Sequence, residues 1–150
     1  MNSRVIDAVG LIHEFVANHW ESINGQNEVH EELMNQGFSQ QEISNAFKLI
    51  EDQVYQVASH HSGRVLEVNR VMTATERLKI RPGAFSFLLK LLKRGVVDHI
   101  LFEDIVERSA RSADPIVGLS QMRRLTALAL YRALEADVRE HISAGGDTRH

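Results

Sequence analysis

Eight histidines, two adjacent carboxylate pairs and one dense run of arginines and lysines are the parts of this 150-residue sequence that could do chemistry. Histidines raise metal binding first, and a zinc site needs three or four ligands that converge. His13 and His19 fall on different faces of one helical segment, and His60-His61 sit at a helix end, where a cation suits the C-terminal dipole. They read as capping and surface residues, so no metal is expected. Glu31-Glu32 and Glu103-Asp104 could pair for general acid–base work. Adjacent helical residues point about 100° apart, so these pairs read as solvated faces. The third feature is different. Arg64, Arg70, Arg77, Lys79, Arg81, Lys90, Lys93 and Arg94 place eight basic side chains against two acidic ones within residues 64–94, a net of +6. Such a patch suits phosphate backbones or an acidic protein surface.

The rest of the chain sharpens that contrast. Residues 1–63 hold two basic and nine acidic side chains, net -7, and residues 95–150 hold seven and nine, net -2. The overall charge of -3 conceals the division. Either the acidic N-terminal part docks on the basic run inside the domain, or the run faces a partner.

Other chemistries are excluded by what is missing from the sequence. With no cysteine there is no disulfide framework, thiolate zinc site or cysteine nucleophile. There is no glycine-rich phosphate loop, no G-x-S-x-G and no H-E-x-x-H, so no catalytic residue and no cofactor is assigned. Asp7 and Glu14 interrupt any secretion signal at the start. The longest apolar stretch, Ala84 to Leu92, contains Lys90 and falls short of the roughly 20 residues that span a bilayer. A cytoplasmic location without membrane contact is the resulting expectation.

The elements that must position the basic run are helical almost throughout. Val5, Val9, Ile12 and Val16 form one stripe up to Trp20; Val29, Leu33 and Met34 mark a short helix stopped by Gly37. Ser39 with Glu42 is a capping box for a helix through Ile43, Phe47, Ile50 and Val54 to about Ala58. Residues 64–72 are irregular and β-branched, which predicts a short extended segment. Thr73 with Glu76 is a second box, opening a brief helix that Pro82-Gly83 ends. The next helix, up to Gly95, is apolar on most sides and is expected to be central. Asp98 caps a helix to about Ser109. Ser120 caps the last one, roughly 121–141, with Glu135 and Arg139 as an i,i+4 pair. The prediction is an all-α fold of six or seven helices in one orthogonal bundle. It forms a single domain over 1–142, with an acidic helical part at 1–60, a basic middle and C-terminal part at 64–142, and a disordered tail at 143–150.

Two helix–turn–helix-like units, Glu28–Val57 and Ala84–Ser109, fit either an internal duplication or generic helical hairpins. Neither suits DNA reading. Their second helices carry Glu42, Glu51 and Asp52, and Glu103, Asp104 and Glu107, which would face phosphate.

The ordered series of segments resembles one bacterial family. The run from Glu32 through Gly37-Phe38 to Ile43 and Ala46 is similar to the "L-x-x-x-G-F-x-x-x-x-I-x-x-A" segment of the Smg family. Arg70 to Leu78, Phe87-Leu88-Leu89, Gly95-Val96-Val97 and Ile105-Val106-Glu107-Arg108 follow in matching order, over about Val5 to Leu134. Lys48-Leu49-Ile50 departs from the pattern, standing where an aromatic–leucine pair often follows the alanine. The resemblance implies a small helical cytosolic protein and carries no catalytic residue. Two functions are expected from the sequence: a non-enzymatic interaction protein meeting an unknown acidic protein through the basic run, or a sequence-tolerant binder of RNA or another nucleic acid through the same run.

Overall fold

Apolar residues recurring at spacings of three and four decide where this chain is helical. The computed structural model describes residues 3–60, 65 and 67–134. Among them lie seven α-helices and no strand. They are α1 (Ser3–His19), α2 (Gln26–Asn35), α3 (Gln40–His60), α4 (Ala74–Arg77), α5 (Pro82–Lys93), α6 (His99–Ala110) and α7 (Leu119–Ala133). A single 3-10 turn, Trp20–Ser22, follows α1. The fold is an all-α bundle.

Helix ends follow local capping chemistry. Ser39 Oγ accepts from Glu42 N at 3.1 Å while Glu42 returns the bond to Ser39 N at 2.9 Å. The Thr73–Glu76 box has the same reciprocal form, and Asp98 accepts from Leu101 N at 2.7 Å. Gly37, just past α2, has φ +91°, a left-handed conformation that closes the helix and turns the chain into α3. Two expected caps differ. Pro82 does not end α4 but stands in the first turn of α5, where its fixed φ and missing N–H are harmless. Helix α7 is capped by Gly118 rather than Ser120, and Gln121 Oε1 accepts the Gly118 N–H at 3.1 Å.

The central helix is α7, not α5. Met122, Leu125 and the unbroken run Thr126 to Leu130 are buried, and the helix packs on α1, α2, α3, α5 and α6. Helix α5 buries only Ala84, Phe85, Leu88 and Leu92, leaving Ser86, Lys90 and Lys93 exposed. Helix α5 is apolar on most sides yet only partly buried; the middle of α7, from Leu125 to Leu130, is buried because its small residues, Ala127 and Ala129, let neighbours approach, while Arg123 and Arg132 stay exposed. Helices α1 and α3 bury one stripe each, Val5-Ala8-Ile12-Val16 and Ile43-Ala46-Phe47-Ile50-Val54-Ala58.

The described part of the expected extended segment, 65 and 67–72, has no regular structure. The chain after it is pinned by one isolated parallel bridge. Val117 N donates to the Lys79 carbonyl at 2.8 Å and Arg81 N to the Val117 carbonyl at 2.9 Å, which ties the entrance of α5 to that of α7. The later part of the expected last helix, its Glu135–Arg139 pair and the tail lie outside the described residues.

Candidate interaction surface

The structure divides the basic run into internal and outward-facing side chains. Arg70 is internal. Its Nε donates to Glu103 and its Nη2 to Glu76, both at 2.9 Å, and its guanidinium lies 5.6 Å from the Phe85 ring and 5.9 Å from that of Phe102. The capping box fixes Glu76, so Arg70 clips α4 and its preceding segment onto α6. Glu103 first and Glu76 second raise the Arg70 pKa. Chiefly through Arg70, the Glu76 carboxyl is held below its ordinary range. Lys79 is also engaged: its Nζ donates to the Ser112 carbonyl at 2.6 Å, past the end of α6. Arg64 lies outside the described residues.

The other five face outward. Arg77 ends α4, Arg81 precedes Pro82, and Lys90, Lys93 and Arg94 line the outer side and end of α5; all are exposed. Among the described residues none of the five makes an ion pair. Leu78, beside Arg77, is 80% exposed and offers apolar contact next to that cation.

The acidic N-terminal part is engaged elsewhere. Glu42 pairs with Arg4 at 3.3 Å, and Glu51 meets Arg123 at 3.5 Å and Arg124 at 3.9 Å. Glu28 accepts from Asn24 N at 3.1 Å. No ion pair among the described residues joins 3–60 to the basic run, so the internal-docking alternative has no such pair behind it.

At the Arg94 end of α5, a cleft of about 490 Å³ opens between α3, α5 and α7. Among the described residues, Tyr55, Ala58, Val65, Leu91 and Val96 give it apolar walls, and Ser59, Arg94 and Arg123 supply its polar groups. The Tyr55 hydroxyl donates to the Arg123 carbonyl at 2.7 Å, and burial pushes its pKa up. The Arg123 guanidinium packs 5.4 Å from the Tyr55 ring and 5.5 Å from Phe87. Tyr55 and Arg123 were not among the sequence-derived candidates; 68 residues separate them, and no local spacing signals their contact.

The remaining candidates serve the framework. Glu103 and Asp104 are not simply solvated: they hold Arg70 and Arg108. His99 precedes Glu103 by one turn, a ligand-like spacing, but Glu103 is taken by Arg70. His13 packs against Tyr131 with ring centroids 5.0 Å apart, and His19 against Phe15 at 4.8 Å. Among the described residues no three His, Asp or Glu side chains gather as metal ligands. No described helix is long and apolar enough to cross a membrane.

Fold and surface together define a small all-α domain whose central helix is buried through its middle turns and whose α5 presents an outward basic edge. A family model described as "Protein of unknown function (DUF494)" matches residues 9–143, and the chain belongs to that family, the bacterial Smg family. The matched stretch contains nearly all the segments on which the sequence resemblance rests. Comparison with curated proteins and with solved structures finds no match.

Proposed function

We propose that this domain is a non-enzymatic cytoplasmic interaction protein that holds an acidic partner protein on the face formed by Arg77, Arg81, Lys90, Lys93 and Arg94. One observation carries the reading: five exposed cations lie close in sequence with no ion-pair partner among the described residues, while Glu42 and Glu51 are paired with other arginines. Like charges gathered on one face create a local potential that speeds encounter with an oppositely charged surface and rejects basic ones. Leu78 adds apolar area of the kind that keeps a complex together after encounter. The displaced carboxyl groups, Glu42 and Glu76, are accounted for by caps and arginines, which supports a framework role for them over catalysis.

The test is capture of partners from a nuclease-treated bacterial lysate by wild-type protein, Arg77→Glu/Arg81→Glu and Lys90→Glu/Lys93→Glu. The reading expects specific protein recovery to fall by at least about tenfold in the second variant, with unchanged thermal unfolding. Equal recovery would overturn it. Recovery that disappears on nuclease treatment alone would favour nucleic acid, whose binding should also weaken steeply with salt.

A further inference from the structure

The cleft between α3, α5 and α7 is contiguous with the basic face but is built differently. We propose that it takes an apolar side chain of the acidic partner, flanked by a carboxylate that meets Arg94 and Arg123. This rests on the reading of the basic face as a protein-docking surface and names the chemistry of the docked segment: acidic, with one apolar anchor.

Shape gives the first argument. At about 490 Å³ the cleft has room for a large side chain, and its Tyr55, Ala58, Leu91 and Val96 walls are apolar. Interface energy concentrates where an aromatic or aliphatic anchor fills such a recess, with polar contacts around it.

Charge gives the second. Among the described residues, the charged groups lining the cleft, Arg94 and Arg123, are both cationic. Arg123 is held in place over Tyr55 and Phe87, and Glu51 approaches its Nε at 3.5 Å. A guanidinium carries five N–H donors, and the Arg123 side chain is 46% exposed, so it has capacity for a second carboxylate. Continuity gives the third. Lys90 stands one turn before Arg94 on α5, and Leu91, between them, lines the cleft. A segment whose anchor enters the cleft would run its flanking acids along Lys90 and Lys93.

Two synthetic acidic hexapeptides, one with a central phenylalanine and one with alanine there, test this by NMR titration of the isotope-labelled full chain. The phenylalanine peptide is expected to bind at least about tenfold more tightly, as burial of one aromatic side chain implies, and to shift Tyr55, Leu91 and Val96 resonances. Ser59→Trp, which obstructs the exposed edge of the cleft without changing charge, is expected to remove that difference. Equal affinity of the two peptides, or no binding of either, would overturn the anchor. So would equal binding of an uncharged phenylalanine amide. If both peptides bind equally and Lys90→Glu/Lys93→Glu weakens both, the basic face stands and only the cleft proposal fails. If Ser59→Trp abolishes binding while the charge reversal leaves it unchanged, the cleft stands and the basic-face reading fails.

Discussion

The guanidinium carbon of Arg108 lies 4.1 Å from the centre of the Trp20 ring, and its Nη1 donates to the Trp20 carbonyl 88 residues away in sequence. The same nitrogen donates to the Ile23 carbonyl at 2.7 Å, and Nε meets both Asp104 oxygens at 3.0 Å. Arg108 is 3% exposed, so one cation satisfies the carbonyls of the corner between α1 and α2 and locks that corner to α6.

Arg108→Met should therefore cost about 3 kcal/mol, because the Ile23 carbonyl loses its donor, the Trp20 carbonyl keeps only the Ile23 N–H, and Asp104 loses its counter-charge. For a chain of this size that lowers the melting temperature by roughly 10 °C. Arg108→Lys should recover less than half of the loss, since an ammonium cannot serve the two carbonyls, Asp104 and the indole face in one geometry. Urea unfolding measures both, and a cost under about 1 kcal/mol for the methionine variant would contradict the lock.

Two glycine substitutions should act with opposite sign. At Gly37, φ +91° penalises any Cβ although no atom lies within 4 Å of one, so Gly37→Ala should destabilise by about 1 kcal/mol. Gly10 is an exposed position inside α1 with equally open surroundings, so Gly10→Ala should stabilise by up to about 1 kcal/mol through helix propensity. Calorimetric melting of the two variants checks the signs; a loss at both positions would mean that the space around Gly10 is needed.

Local chemistry was legible in the sequence where partners are three or four residues apart. Ser39–Glu42, Thr73–Glu76 and the Asp98 cap were readable because each satisfies its own backbone groups. Long-range partners were not. Asp104–Arg108 reads as a surface i,i+4 pair, and only the arrival of Trp20 and Ile23 makes the arginine buried. Arg70 counts as a free cation in a charge sum until Glu103, 33 residues on, takes it. An apolar circumference predicts a central α5, whereas close packing is decided by what the neighbours can approach, and the alanines of α7 admit more of them. The basic face was visible as composition, but its outward-facing members could be separated from Arg70 and Lys79 only in three dimensions.

Stability should fall in acid with a component traceable to Glu76. Its folded pKa lies below the usual value of 4.5, chiefly because Arg70 donates to it. A carboxyl depressed in the folded state stabilises the fold above its unfolded pKa, and that contribution is lost as pH falls through the folded value. Glu42, lowered mainly by the Ser39 backbone N–H and by Arg4, acts with the same sign. Glu76→Gln should thus be less stable near neutrality and show a shallower decline below about pH 4.5. Urea midpoints between about pH 3 and pH 6 measure it, and parallel profiles for variant and wild type would remove Glu76 from the account.

The most direct test of the basic face is site-specific photocrosslinking in living bacteria. A benzophenone amino acid would replace Ser86, on the exposed side of α5, and in a second protein Asp7, exposed on α1. Docking on the basic face predicts a discrete protein adduct from position 86 that is weakened by Lys90→Glu/Lys93→Glu, with no matching adduct from position 7. The same adduct from position 7 with none from position 86 would contradict that placement outright.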